Sequence, residues 1–232
     1  MKKRNRFGIF TLVLILSLCG CTQDKIPISS SSDVQKEQDT LPEAEITPEE
    51  EPFLYGYQNL NEEEKTRYRQ ILAGIENYED SVTVEVCSEE EINKVSNLVF
   101  VDHPEIFWLE QQNYSFNQKE NSDVDLLELN LVYNMGKDEI EDTKQQIEAK
   151  AEEWSQELSN CENEYDKIKY VYEFLGKNVL YDSESENNQN IQSVFLNQST
   201  VCMGFAKATQ YLLVRNGIFC TLVTGKVIPE NM

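Results

Sequence analysis

Apolar residues recur at two different spacings in the second quarter of the chain. Tyr68, Ile71, Leu72 and Ile75 follow the spacing that is typical of one face of an α-helix. Residues 81–86, SVTVEV, alternate polar and apolar side chains, as a half-buried strand does. The two patterns together predict a helix that is followed directly by a strand.

A further helix start is visible at Ser88. Ser88 and Glu91 have the spacing of a capping box, and Ile92, Val95 and Val99 form an apolar stripe behind them. The stretches after this helix are short, apolar and rich in residues that favour strands. We predict antiparallel strands at residues 106–109 (IFWL), 113–116 (NYSF) and 126–133 (LLELNLVY).

Two more helices are predicted in the second half of the chain. The first spans residues 137–158, and because most of its surface is charged we expect it on the outside of the fold. Its narrow apolar seam consists of Ile140, Ile147, Ala151, Trp154 and Leu158. The second helix has an apolar side, formed by Ile168, Val171, Tyr172, Leu175 and Val179. Helices combined with antiparallel strands predict an α+β fold.

Residues 199–227, STVCMGFAKATQYLLVRNGIFCTLVTGKV, predict one more helix and one more strand. Ser199 or Thr200 is expected to cap the helix, which places Cys202 in its first turn. Gly217 is expected to end the helix in the left-handed conformation. Residues 218–227 form an almost continuous apolar run, which predicts a strand in the middle of a sheet. The buried stripe of the helix is expected to contain Phe205, Thr209, Leu212 and Leu213.

Cys202 is the candidate catalytic residue. In the first turn of a helix, a thiol faces the positive end of the helix dipole, which favours the thiolate. Free backbone N–H groups at the same place can stabilise an oxyanion. The alternative is a small buried apolar residue, which is what we expect of Cys87 and Cys220. The position at the start of a helix favours the nucleophile.

Several short motifs between residues 165 and 227 occur together in one known family. They are the helix YDKIKYVYEFLGKNVLYD, the lead-in IQSVFLNQST, the pattern VCxGxAxA before a leucine-rich helix, and the later NGI and TG. This combination resembles the transglutaminase-like superfamily, whose architecture is papain-like, and Cys202 occupies the nucleophile position. The preceding DHPEIFWLE is similar to the N-terminal extension of bacterial surface members. The resemblance implies that the thiol attacks a peptide or glutamine amide and forms a thioester.

The resemblance also implies a histidine and an aspartate after the nucleophile helix, and neither is present there. The sequence stops at Met232, so we expect a product that is truncated before both partners. The single histidine, His103, is expected to be a turn residue between a helix and a strand. Its use as the base is the alternative, because a triad is recognised by geometry rather than by sequence order. Whether the chain is an active enzyme stays open.

The first residues have the pattern of an export signal. Basic residues within positions 2–6 precede the apolar run 7–18, which is shorter than the roughly 20 residues needed to cross a bilayer. The run ends in LCGC, which resembles a bacterial lipobox with Cys21 as the acylated residue. We therefore expect a lipoprotein anchored to the bacterial cell membrane and facing the extracytoplasmic side. An uncleaved signal anchor is the alternative.

Charge and composition exclude some kinds of partner. The formal charge of −22 repels phosphate backbones, so we expect no nucleic-acid partner. The sequence has no CxxC pair and only one histidine, so we expect no metal and no other cofactor. The expected partners are the membrane, through the lipid anchor, and a protein or peptide.

Four regions are predicted along the chain, and three functions are compatible with them. Residues 1–21 are assigned to the signal peptide, 22–52 to a disordered acidic tether, 53–160 to an N-terminal α+β region and 161–232 to a truncated transglutaminase-like core. The first function is a surface enzyme that transfers or hydrolyses acyl groups through Cys202 once missing C-terminal residues complete it. The second is a non-catalytic envelope binding protein, and the third is an inactive remnant.

Overall fold

The structure, a computed structural model, describes residues 41–110, 116–119 and 126–225. The predicted signal peptide, Cys21 and residues 22–40 of the predicted tether lie outside these ranges. So do residues 113–115 of one predicted strand and residues 226–227 of another. Within the described ranges, no helix combines the length and the apolar character that crossing a membrane requires.

Helices account for most of the described residues, and the strands between them are short. This mixture confirms the predicted α+β class. Short 3₁₀ helices lie at Glu51–Phe53 and Gln156–Asn160, and a π-helical turn lies at Ser193–Asn197. The remaining elements are α1 (Tyr55–Gln58), α2 (Glu62–Glu76), β1 (Ser81–Glu85), α3 (Glu89–Asp102), β2 (Phe116–Lys119), β3 (Leu126–Asn130), α4 (Lys137–Ser155), α5 (Glu164–Asn178), β4 (Leu180–Tyr181), β5 (Ser199–Thr200) and α6 (Cys202–Arg215).

The starts of α2 and α3 are fixed by side chains that accept backbone hydrogen bonds. At α2, Asn61 accepts from the Glu64 N–H and Glu64 accepts from the Asn61 N–H, both at 2.9 Å, which is a complete capping box. At α3, Ser88 accepts from the Glu91 N–H at 3.1 Å, as predicted. The reciprocal bond predicted there is wrong, because the Glu91 carboxylate pairs with Arg67 at 2.6 Å instead.

The larger sheet contains three antiparallel strands in the order β1-β3-β2. Leu129 of the central strand β3 is opposite Val82 of β1 and Phe116 of β2. The strand predicted at residues 106–109 is wrong: the segment makes a single antiparallel bridge, from Leu109 to Tyr133. Its four side chains are all buried, whereas a strand at the surface of a sheet buries only alternate ones.

One apolar core extends through the described residues of both predicted regions, 53–160 and 161–232. In the first region, α2 packs against α3 and β1. Contacts also join the two regions, because the Trp154 ring of α4 lies 5.1 Å from the Phe174 ring and 5.0 Å from the Phe195 ring, measured between centroids. The seam predicted for α4 is buried as expected, at Ile140, Ile147, Ala151, Trp154 and Leu158.

Residues 41–52 pack against the domain, although the sequence assigns them to a disordered tether. Ala44 is buried and its N–H donates to the carbonyl of Arg69 at 2.9 Å. The Arg69 guanidinium forms an ion pair with Glu43 at 2.7 Å. One small apolar residue and one ion pair leave no periodic pattern, which is why the sequence did not reveal this contact.

Helix α5 buries a narrower face than the sequence predicts. Val171 and Leu175 are buried, as expected. Ile168 and Tyr172 of the predicted apolar side are instead 43% and 77% exposed. Helix α5 packs against α6.

The segment after α6 begins as predicted and then differs. Gly217 has a positive φ of 75°, and the N–H of Ile218 donates to the carbonyl of Leu213 at 2.9 Å, which closes the helix. Residues 218–225 do not form the predicted strand. A strand requires a neighbouring backbone to receive its hydrogen bonds, and no such partner is present among the described residues.

Candidate active site at the start of helix α6

The residues before Cys202 form a strand rather than a helix cap. Ser199 and Thr200 make up β5, which pairs in parallel with Leu180 and Tyr181 of β4. The predicted capping role of Ser199 or Thr200 is therefore wrong. The N-cap of α6 is Val201, which is extended and offers no side-chain acceptor.

Thr200 holds the loop before the helix in place. Its Oγ1 accepts from the Ser193 hydroxyl at 2.7 Å and donates to the carbonyl of Asn188 at 2.9 Å. Thr200 and Ser193 are both fully buried. Gly204 in the first turn of α6 packs directly on Thr200, since a Cβ built there would lie 1.9 Å from Oγ1. The glycine of the VCxGxAxA pattern was the sequence signal for this contact.

Cys202 is the first residue of α6, as predicted, and its side chain is exposed and free. Among the described residues, none forms a hydrogen bond with its thiol. The first turn of the helix contains no acidic residue and no side-chain cap. The backbone N–H groups of this turn therefore remain available, and they present the positive end of the helix dipole to the thiol. Free N–H groups placed in this way can bind an oxyanion that forms beside the thiol.

An apolar surface lies beside the start of α6. The rings of Tyr181 and Phe205 stack with an interplanar angle of 9° and a centroid separation of 6.4 Å. Tyr181 is 65% exposed and Leu180 is 66% exposed. Phe205 is only partly buried, whereas the sequence analysis placed it in the buried stripe of the helix. Leu212 and Leu213 of that stripe are buried as predicted.

His103 is the C-cap residue of α3. Its contacts place it in a different part of the fold from Cys202. Its Nδ1 lies 2.8 Å from a carboxylate oxygen of Glu105. Burial by itself lowers the pKa of His103, but the carboxylates of Glu105 and Asp102 outweigh this effect and raise the pKa above its usual value. The structure thus ties His103 to Glu105, and no hydrogen bond joins it to Cys202 among the described residues.

The other described cysteines have different surroundings from Cys202. Cys87 and Cys220 are half-buried against the core, and burial raises the pKa of each thiol. The Cys161 thiol lies 3.9 Å from the carbonyl of Glu157. All four are free thiols, and Cys202 is the exposed one. Across the described ranges, no group of three or more His, Cys, Asp or Glu side chains is placed to hold a metal ion.

Two polar residues of α6 were missed by the sequence analysis because they lie on its buried face. Gln210 is 1% exposed, and its amide donates to the carbonyl of Val101 at 2.7 Å. Lys207 is 5% exposed. Burial lowers the pKa of Lys207 to about 8, against a weaker opposing effect of Glu105. Nothing in the helical pattern distinguishes these positions from exposed polar ones.

Comparison with known proteins identifies the region that contains α5 and α6. Residues 152–231 match the family described as the transglutaminase-like superfamily. The chain carries a transglutaminase-like region. The resemblance predicted from the sequence is confirmed, and the matched residues include Cys202 and the whole of α6.

The other comparisons add little to this assignment. The chain is similar to a solved structure described as "Crystal structure of a TGase", with 15% sequence identity and a TM-score of 0.28. The match covers 57% of this chain and 41% of the length of that structure. No curated protein matches the chain significantly.

Proposed function

We propose that Cys202 is the nucleophile of a thiol-dependent acyl-transfer or amide-hydrolysis reaction. The single observation that carries the proposal is the exposed thiol at the uncapped start of α6, inside the transglutaminase-like region. We also propose that the protein is an exported lipoprotein, held at the membrane by acylation of Cys21. That part rests on the basic residues, the apolar run and the LCGC motif of the first residues.

The proposed reaction has two stages. In the first, the Cys202 thiolate attacks an amide carbonyl carbon, a C–S bond forms, and the N–H groups at the start of α6 receive the oxyanion. The C–N bond then breaks and the leaving amine takes up a proton, which leaves a thioester. In the second stage, water attacks the thioester and yields a carboxylic acid, or an amine attacks it and yields a new amide. Either route restores the thiol.

The proposed reaction needs a general base that the contacts of His103 do not provide. His103 is the sole histidine of the sequence, and its Nδ1 is paired with Glu105. We propose that a group other than His103 supplies this base. General acid–base assistance is worth about 10²–10⁴-fold in rate, so without such a group Cys202 should cleave amides slower by a factor in that range.

The proposed substrate is a protein or peptide rather than a nucleic acid. The net charge of −22 repels phosphate, whereas Leu180 and Tyr181 offer exposed apolar surface beside the start of α6. The same surface supports a second candidate function, in which the region binds an envelope protein without catalysis. Exposed aromatic side chains are common at protein interfaces, and this function would not need a base.

An activated ester separates the two candidates. Such an ester has a leaving group that departs without a proton, so Cys202 should form an acyl-enzyme even where no base is present. We expect p-nitrophenyl acetate to acetylate Cys202 of the full chain preferentially, as seen by peptide mass spectrometry, and Cys202→Ala to lose that adduct. Acetylation of Cys161 to an equal extent, or no adduct on Cys202, would favour the binding function.

A further inference from the structure

Two aromatic side chains near Cys202 have no role in the reaction steps proposed above. Tyr181 of β4 and Phe205 of α6 stack with nearly parallel rings, at an interplanar angle of 9°. Tyr181 is 65% exposed, and Phe205 is only partly buried. The stacked pair therefore presents ring surface to solvent beside the thiol.

Both rings are brought to the thiol by the backbone around them. Phe205 follows Cys202 by three residues in α6, and helical side chains at this spacing are neighbours, with Cβ atoms about 5–6 Å apart. Helical side chains also lean toward the N-terminus of their helix, which directs the Phe205 ring toward the turn that begins at Cys202. Tyr181 is opposite Thr200 in the pair of strands, and Thr200 precedes Cys202 by two residues. The thiol thus lies beside a ring pair that two separate elements supply.

The backbone of β4 offers hydrogen-bonding groups at the same place. The N–H of Leu180 donates to the carbonyl of Gln198 at 2.8 Å, and the N–H of Asp182 donates to the carbonyl of Thr200 at 2.9 Å. Successive residues of a strand direct their N–H and C=O groups to opposite sides, so those of Tyr181 point away from β5. Among the described residues, no further strand pairs with β4. A free strand edge of this kind is where an extended peptide can add.

The spacing between the thiol and the rings indicates which part of a peptide would contact them. The reacting carbonyl carbon must come within about 3–3.5 Å of the thiolate. Phe205 is a direct neighbour of Cys202 on the helix, whereas each further residue of an extended peptide lies about 3.8 Å farther along. The side chain that reaches the stacked pair therefore belongs to the residue that carries the reacting carbonyl. An aromatic ring gains most there, because it can stack on or meet the edge of the exposed rings.

We propose that Cys202 accepts its acyl group from an extended peptide whose reacting residue is aromatic. The aromatic side chain packs on the Tyr181–Phe205 pair, and the N–H of the same residue donates to the free carbonyl of Tyr181. The proposal rests on the function proposed above, because it assigns a class of substrate to the same thiol. Tyr181 is then a specificity-determining residue.

Two activated esters in one mixture measure the preference for an aromatic acyl group. p-Nitrophenyl 3-phenylpropanoate carries its ring where a phenylalanine residue does, and p-nitrophenyl propanoate lacks the ring. With either ester, the Cys202 thiolate forms a C–S bond to the carbonyl carbon, the C–O bond breaks and p-nitrophenolate leaves. Mass spectrometry of the Cys202 peptide gives the ratio of the two adducts, and division by the ratio for N-acetylcysteine removes the intrinsic reactivity of the esters. We expect the full chain to prefer the aromatic acyl group by about fivefold.

Variants of exposed tyrosines test whether the stacked pair is responsible. Tyr181→Ala should reduce the preference to about twofold or less, because half of the pair is lost, whereas Tyr181→Phe keeps the ring and should keep the preference. The matched control is Tyr165→Ala, which should leave the preference unchanged. Tyr165 is 73% exposed and lies in the first turn of α5, whereas β4 follows the last turn of that helix.

N-methylation of the substrate tests the contact with the edge of β4. The p-nitrophenyl esters of N-acetylphenylalanine and N-acetyl-N-methylphenylalanine differ in a single N–H group. One ordinary hydrogen bond corresponds to a factor of about three or more, so Cys202 should prefer the ester with the N–H by about threefold after the same correction with N-acetylcysteine.

The outcomes separate this proposal from the function on which it rests. If Cys202 forms no adduct with any of the four esters, the proposed function fails and the substrate class falls with it. Adducts that show no preference for the ring, or a preference that Tyr181→Ala and Tyr165→Ala reduce equally, would overturn the substrate class and leave Cys202 a nucleophile. Equal reaction of the two phenylalanine esters would overturn the placement of the peptide along β4.

Discussion

Gly204 and Thr200 are packed so closely that only glycine fits at position 204. A Cβ on Gly204 would lie 1.9 Å from Thr200 Oγ1 and 3.1 Å from the carbonyl oxygen of Asn188. Thr200 in turn bonds to Ser193 and Asn188, which fixes the loop that leads into Cys202. The position of the thiol therefore depends on a buried hydroxyl two residues before it and a glycine two residues after it.

Gly204→Ala should destabilise the protein and disturb the start of α6. The new methyl group must displace Thr200, and overpacking of this kind costs about 1–3 kcal/mol in the free energy of unfolding. Urea denaturation measures the loss. Gly176→Ala is the matched control, since that glycine lies inside α5 with open space around it, and it should stabilise by about 0.5–1 kcal/mol. Equal effects of the two changes would contradict the role assigned to the Gly204–Thr200 contact.

Asp102→Ala should loosen the N-terminal segment of the domain. The Asp102 carboxylate accepts from the N–H groups of Gly56 and Tyr57, each at 2.8 Å, and from the Tyr68 hydroxyl at 3.1 Å. Removing it leaves three buried donors unsatisfied, so we expect a loss of about 3 kcal/mol in the free energy of unfolding. The exposed control Asp142→Ala should change stability by about 0.5 kcal/mol or less. A small effect at Asp102 would show that these bonds are replaced by water.

Lys207→Met should stabilise the protein at neutral pH. The fold lowers the pKa of Lys207 from 10.5 to about 8, so burying the charged ammonium group opposes folding at pH values below that range. Because the pKa of Lys207 is lower in the folded state than in the unfolded state, this group contributes stability above pH 10.5. That contribution is lost as the pH falls through about 8. The gain from Lys207→Met should therefore be about 1–3 kcal/mol at neutral pH and should shrink as the pH is raised toward 10.5.

Urea denaturation at several pH values checks this expectation. Lys177→Met, on the exposed side of α5, is the control and should show no such trend. A gain from Lys207→Met that does not vary with pH would mean that packing, rather than the buried charge, is responsible.

Cys21→Ala should abolish lipid attachment. The residue follows an apolar run in the LCGC motif, and the thiol is the group that receives the lipid in the proposed processing. Metabolic labelling with a fatty acid, followed by membrane fractionation, measures the effect in a bacterial host. Cys19→Ala is the control, since it keeps Cys21 and should retain the label. Lipid labelling that persists in Cys21→Ala would rule out this anchor.

The sequence predicted local structure better than the contacts between distant segments. The structure confirms the helical spacing of Tyr68, Ile71 and Ile75 and the buried seam of α4. The buried face of an amphipathic helix is visible in the sequence as a regular spacing of apolar residues. The strand predicted at residues 218–227 was wrong over its described part. A continuous apolar run is compatible with several structures, and a strand also requires a partner that sequence spacing does not reveal.

The candidate site shows the same division. Cys202 was placed at the start of a helix from the motif around it, and the structure agrees. Thr200 was expected to cap the helix, because Ser and Thr are common at the N-cap position. It is instead buried, and its hydroxyl forms hydrogen bonds with Ser193 and Asn188. Those bonds connect residues 7 and 12 positions apart, which no local preference encodes. Lys207 was missed because its burial depends on how α6 packs in the domain.

The central claim is that the fold activates Cys202, and its alkylation rate tests this most directly. The rate constant for iodoacetamide should be measured for each cysteine by mass spectrometry, in the folded chain and in concentrated urea at the same neutral pH. Comparing each thiol with its own unfolded rate removes the effect of exposure, because exposure alone cannot make a folded thiol react faster than an unfolded one.

The helix dipole is worth about 0.3–1 kcal/mol, so Cys202 should react about two to five times faster in the folded state than in urea. Cys220 is half-buried, and burial raises the pKa of its thiol. It should therefore react more slowly in the folded state than in urea. A folded rate for Cys202 that is equal to or below its rate in urea would contradict the claim that this thiol is an activated nucleophile.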